Sequence, residues 1–163
     1  MEGIMKFSHE LIVPEEGFPF KLFVFEGGGG NYYREKHWHR SIEIFAVCAG
    51  ELEFFIDDRR WHLTPDNFMI VNSNEVHSID SPLPNETIVL QIPLKLFEEY
   101  FTGEQFIWFS HEPGRRDERF MELIRELYGT YCEKSCGYDM KMKSIFYQIM
   151  YLLVKDYRLT EVD

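Results

Sequence analysis

The side chains with the most chemistry in this chain stand close together. The segment His37-Trp38-His39-Arg40-Ser41-Ile42-Glu43 carries two imidazoles and a carboxylate at odd positions, with Gly50 further on. Along an extended strand successive side chains alternate in direction, so positions 37, 39 and 43 share one face. Two imidazoles and a carboxylate on one face can converge on a divalent ion. A fourth ligand has to come from another strand, and His77, in Asn74-Glu75-Val76-His77-Ser78, is the candidate. Three nitrogens and one oxygen without a thiolate suit a borderline divalent transition metal (Zn, Ni, Fe, Mn or Cu) better than Ca or Mg. A short HxH spacing also arises by chance. The same four residues, His37, His39, Glu43 and His77, could equally hydrogen-bond a sugar or an organic acid at a pocket mouth with no ion at all. Tyr33 and Glu35 share parity with the two histidines and are candidate lining residues, although aromatic and acidic residues near a turn also serve as plain surface. Trp38 has the opposite parity, which suits packing. His9, His62 and His111 lie outside both segments and receive no role.

Strands have to position these groups, and the chain supplies them. Phe20 to Phe25 is rich in aromatic and branched residues and stops at Gly27-Gly28-Gly29-Gly30, a run too flexible for a strand interior. Ile42 to Cys48 and Glu51 to Ile56 flank Ala49-Gly50. Turns at Asp57-Asp58 and Pro65-Asp66-Asn67 precede Trp61-His62-Leu63 and Phe68 to Val71, and Thr87 to Ile92 follows another turn. Many short strands at this spacing, with no helical pattern between them, predict a sandwich or small barrel from about Phe20 to Ile92. After Pro93 the period changes. Leu94 to Phe101 reads as a short helix and Phe106 to Phe109 as a short extended piece. Phe120, Ile124, Leu127, Tyr128 and Tyr131 then mark one face of a helix near 116–133. Met142, Ile145, Phe146, Ile149, Met150, Leu152 and Leu153 mark a broader stripe on a second helix near 138–157, and Gly137 between them suggests an antiparallel pair.

Composition bounds the function. A chain of 163 residues, 45% hydrophobic and 28% charged, has the proportions of a single globular domain. The net charge is -11, and the first hundred residues hold 17 acidic against 8 basic side chains. So acidic a surface repels phosphate backbones, which argues against nucleic-acid binding by this chain alone. No basic leader precedes an apolar run and no stretch approaches the ~18 apolar residues of a membrane helix, so a soluble, cytoplasmic protein with no membrane partner is expected. Cys48, Cys132 and Cys136 are odd in number and lack zinc-type spacing, consistent with reduced thiols.

The pattern HxHxxxExxxxxxG at His37, His39, Glu43 and Gly50, with the later His77, resembles the two motifs of cupins. More narrowly, the run HWHRSIEIFAVCAGELEFFIDDRRWHLTPDNFMIVNSNEVHSI resembles the N-terminal sensor domain of AraC-type transcription regulators. The Pro-x-Gly turn usual before the last histidine is replaced by Asn72-Ser73-Asn74, and Asn tolerates the left-handed angles such a turn needs. The resemblance implies a mainly β fold: a cupin-type double-stranded β-helix (jelly-roll) barrel over 1–93, then a C-terminal antiparallel helical pair within 94–163. It implies a non-enzymatic domain that binds a sugar or small polar metabolite in the barrel, forms a homodimer, and reaches DNA only through a helix-turn-helix domain absent from this chain. The width of the second helical stripe assigns the dimer contact to Ile145, Phe146, Ile149, Met150 and Leu153. A metal-dependent cupin enzyme, a dioxygenase or isomerase using His37, His39, Glu43 and His77, is the alternative; a sugar-binding module without regulation is a third reading.

Overall fold

The computed structural model describes residues 8–13, 17–26, 30–34, 41–73, 75, 77–81, 83–102, 107–110 and 117–159. Nine strands come first: β1 (Ser8–Val13), β2 (Lys21–Glu26), β3 (Gly30–Arg34), β4 (Ser41–Gly50), β5 (Leu52–Ile56), β6 (Arg59–Leu63), β7 (Phe68–Val71), β8 (His77–Ser81) and β9 (Asn85–Pro93). A 3₁₀ turn at Leu94–Tyr100, the short β10 (Trp108–Phe109), α1 (Glu118–Glu133), α2 (Tyr138–Leu152), a π-type turn at Leu153–Tyr157 and β11 (Arg158–Leu159) follow among the described residues. The strands form a five-stranded sheet in the order β1-β2-β9-β4-β7 and a four-stranded sheet in the order β3-β8-β5-β6. Every pairing is antiparallel. The fold is therefore the expected mainly β, cupin-type jelly roll, built as two facing sheets and followed by a helical pair. Among the described residues no helix is long and apolar enough to cross a membrane.

Alternation along the strands separates two cores. Phe45, Val47, Met69, Val71 and Val89 of the larger sheet pack with Leu52, Phe54, Ile56, Leu63 and Ile79 of the smaller one, which places them between the sheets. The intervening residues Leu22, Ile42, Ile44, Ala46, Phe68, Ile70, Ile88, Leu90 and Ile92 face the other way, into a core shared with both helices. A sheet buried on both faces reads as a continuous apolar run rather than an alternating one. That is what Ile44-Phe45-Ala46-Val47 and Phe68-Met69-Ile70-Val71 display.

The helices close the outer face of this larger sheet. Phe20 stacks on Phe146 with ring centroids 4.5 Å apart, and Phe68 stacks on Phe120 at the same separation. Asp117 caps α1 by accepting a hydrogen bond from the Phe120 amide at 3.0 Å, and its other oxygen accepts from the Tyr157 hydroxyl at 2.6 Å. The reversal between helices needs Gly137, whose φ of 79° and ψ of 13° suit the third position of a type II turn closed by Tyr138 N–H donating to Ser135 O. One expectation is corrected here. Ile145, Phe146, Ile149, Met150 and Leu153 are buried, none more than 9% exposed, and belong to the core shared with the sheet. The stripe is wide because it packs on the outer face of the larger sheet, so these residues are already covered within one chain.

Further details differ from the sequence reading. β2 ends at Glu26, at the glycine run as expected, but Gly30 then opens β3, an edge strand, where it pairs with Ser81. β1 extends the larger sheet ahead of Phe20, and α2 gives way to the π-type turn after Leu152. A bulge in the β4–β9 ladder falls at Cys48, between the Val47 and Ala49 pairings.

Candidate functional site

Two of the four expected site residues meet between the sheets. Glu43 lies near the start of β4 on its inward face, and His77 opens β8 on the opposite sheet. Their side chains are 9% and 3% exposed, and His77 Nε2 stands 3.8 Å from Glu43 Oε1. The ring of His77 is held by aromatic neighbours: Phe54 lies parallel to it at 5.7 Å, and Phe45 meets it edge-on at 5.4 Å. Phe45 and Phe54 also contact each other at 4.9 Å. An imidazole facing a carboxylate between phenyl rings offers hydrogen-bonding groups and flat apolar walls together, the composition of a small-molecule site.

The register extends the polar side of this site. Across the larger sheet one row reads Lys21, Gln91, Glu43, Val71. Gln91 sits directly across the ladder from Glu43 and is buried, while Lys21 at the far end is exposed. The next inward row, Phe23, Val89, Phe45, Met69, is apolar. Of these two rows, the polar one is the row that faces His77. Neither Gln91 nor Lys21 was singled out from sequence. The available signal was Gln91 itself, a polar residue on the same alternation as Val89 and set between the apolar Leu90 and Ile92.

Of the remaining expected residues, Tyr33 alone is described. Tyr33 lies in β3 opposite Ser78, one step out of register with the row that joins Arg34, His77 and Ile56. Since rows alternate between faces, the register does not bring Tyr33 into the row of His77. His37, His39 and Glu35 lie outside the described residues. Among the described residues no three His, Cys, Asp or Glu side chains gather so as to hold an ion, and the expected set requires His37 and His39.

Two other polar clusters are set apart from this one. On the smaller sheet His62, assigned no role from sequence, contacts Glu51 Oε1 through Nε2 at 2.7 Å and Glu53 Oε1 through Nδ1 at 2.9 Å. Both contacts are satisfied when both ring nitrogens carry protons. The hydrogen bonds to Glu51 and then Glu53 raise the His62 pKa, and the Arg60 hydrogen bond to Glu53 at 3.0 Å lowers that of the carboxylate. On the helix side a groove of about 200 Å3 is lined by Asp66, Asp117, Glu118, Met121, Glu122 and Arg125. Arg125 closes one wall by pairing with Asp66.

Several solved structures are similar to part of this chain. The cupin domain of an XRE family transcriptional regulator from Enterobacter cloacae is 24% identical, over 53% of this chain and 96% of that one, with a TM-score of 0.49. A rmlc-like cupin protein from Desulfovibrio desulfuricans is 21% identical, over 54% and 83%, at 0.48. The Cnp3 cupin domain of Schizosaccharomyces pombe is 16% identical, over 61% and 73%, at 0.49. No curated protein matches the chain. The family model described as the AraC-like ligand binding domain matches residues 19–150, from before β2 through nearly all of α2, and the chain belongs to that family.

Proposed function

We propose that this domain senses a sugar-like, polar effector bound between the two sheets at Glu43, His77 and Gln91. The observation that carries the reading is the Glu43–His77 pair, 3.8 Å apart and buried beside the Phe, Ile, Val, Leu and Met side chains between the sheets. Buried ionisable groups cost stability and persist where they serve recognition. A sugar presents hydroxyls to a carboxylate, an imidazole and a carboxamide while its apolar ring face lies against Phe45 or Phe54. The test is thermal unfolding of the purified chain against a panel of neutral sugars, polyols and sugar acids. An effector at about a hundred times its Kd adds about 2.7 kcal/mol, which raises Tm by about 5–10 °C for a domain of this size. A hit that persists unchanged in Glu43→Gln and in His77→Phe refutes this site.

A divalent metal held by His37, His39, Glu43 and His77 is the companion proposal. The facing oxygen and nitrogen of Glu43 and His77 are close to the ~3.4 Å that two ligands on one tetrahedral ion would adopt. Elemental analysis of protein purified without an affinity tag checks it: stoichiometric metal that vanishes in His77→Phe supports it, and negligible metal refutes it.

As a regulator domain in the cytoplasm the chain acts as a homodimer and reaches DNA through an attached domain. The contact we propose is the outer face of α2. Met140, Tyr147 and Tyr151 there are 69%, 56% and 62% exposed. With Ser144 they recur at spacings of four, three and four, the seam of a helix pairing with a second copy.

A further inference from the structure

The turn that delivers His77 to the site is also tied to the far end of the chain. Asn72 follows β7 directly and is 4% exposed. Its carboxamide clamps one residue of β10: Asn72 Nδ2 donates to the Phe109 carbonyl at 2.9 Å, and the Phe109 amide donates to Asn72 Oδ1 at 2.7 Å. The Asn72 amide itself donates to Glu75 Oε1 at 2.7 Å, which folds the turn back upon itself two residues before His77. Phe109 pairs in turn with Arg158 of β11, and Ser110 N–H donates to the Tyr157 carbonyl at 2.8 Å. One side chain therefore joins the end of β7 to β10, and backbone pairing carries the link on to β11.

We propose that Asn72 is the relay by which the state of the site between the sheets is passed to β10 and β11. This rests on the effector site proposed above, and the device is conformational. β7 and β8 belong to different sheets and the turn between them is short, so a shift of His77 has little slack to absorb it before Asn72. A two-bond carboxamide clamp fixes both distance and orientation, so a shift of Asn72 moves the Phe109 peptide with it rather than sliding past. Among the described residues β10 pairs with β11 alone, and Phe109 is seated in the core against Phe97 at 5.2 Å, so a shift of its peptide is passed to β11 and to that contact rather than to either large sheet. A bond that merely satisfied the Phe109 backbone would need the same two contacts, but it would not make the C-terminal strands respond to the site.

Amide exchange of the full chain, followed by NMR at Ser110, separates the two. That amide bonds Tyr157 rather than Asn72, so it reports motion one step beyond the clamp. The perturbation is His77→Phe, which needs no effector. In the otherwise native chain this substitution changes the Ser110 exchange rate by about tenfold relative to the amides of the β4–β9 ladder, which report its general destabilisation of the fold. In an Asn72→Ala background the change is lost. Asn72→Asp keeps the acceptor for the Phe109 amide and removes the donor to its carbonyl; it serves as the background if Asn72→Ala does not fold, with the response reduced. An unchanged Ser110 rate in His77→Phe, or an equal change with and without the clamp, overturns the relay. Failure of the sugar panel overturns the effector reading instead, because these variants are compared without ligand.

Discussion

If Glu43 and His77 are retained for binding rather than for folding, removing both should cost the domain nothing, whereas removing one should cost it much. At 3.8 Å and an effective dielectric near 20, an imidazolium and a carboxylate attract by about 4 kcal/mol. Taking each ion out of water costs several kcal/mol, so such a pair breaks even at best against apolar residues of similar volume. His77→Phe alone leaves Glu43 facing a third phenyl ring and should destabilise by about 3–5 kcal/mol. Glu43→Leu together with His77→Phe extends the core of Phe45, Phe54 and Val71 and should be neutral or stabilising by about 1–4 kcal/mol. Urea titrations followed by circular dichroism give both values, with m-values reporting whether the fold is unchanged. The coupling in the double-mutant cycle should therefore exceed about 3 kcal/mol. Additive losses from the two substitutions would refute the reasoning, since they would make the pair two independent structural contacts. The double variant should also lose any effector-induced rise in Tm while keeping its own.

Four further outcomes are expected. Ile149→Glu puts a carboxylate into the core against the sheet and should abolish cooperative unfolding. Tyr151→Glu should leave monomer stability within about 0.5 kcal/mol but weaken the dimer by about 3–5 kcal/mol, the apolar area of two tyrosines, as read by sedimentation across a concentration series. Gly50→Ala should lower stability by about 2–4 kcal/mol in thermal melts, because φ is 76° there and a Cβ would lie 2.2 Å from the Pro84 carbonyl oxygen. His62 should titrate above 6.5 by NMR; its raised folded pKa contributes stability that is complete below the unfolded pKa and lost as pH rises through the folded one. Exposure limits this to less than about 1 kcal/mol, and His62→Gln should flatten that part of the stability profile.

The sequence made the strands of the body legible wherever side chains carry the information. Phe68 to Val71 and Ile42 to Cys48 are apolar without interruption because the larger sheet is buried on both faces. The same fact misled the reading of α2. A helical stripe that wide suits a dimer seam or a flat sheet beneath it, and periodicity cannot tell which surface a stripe will meet. β1, β3 and β11 escaped notice because edge and terminal strands are held by backbone pairing to β2, β8 and β10 rather than by a pattern of their own. At the site, Glu43 and His77 were legible from spacing. Gln91 was not, because its relation to Glu43 depends on the β4–β9 register, which is set by long-range pairing.

The three polar clusters of this domain differ in what a ligand would gain from them. His62 with Glu51 and Glu53 is solvated, so a ligand hydroxyl there replaces a contact with water by a similar one, and little free energy separates the two. The groove beside α1 carries four carboxylates against one guanidinium already engaged by Asp66, and a sugar would add no charge to relieve them. Between the sheets the balance is different. Groups withdrawn from water gain the full strength of each hydrogen bond a ligand offers, and the aromatic walls supply the contact area that a polar ligand needs on its ring faces. Discrimination follows from the same burial: an analogue lacking the matching hydroxyl leaves Glu43, Gln91 or His77 with a contact it cannot recover from solvent. On the reading proposed above, selectivity therefore belongs to the row that faces His77.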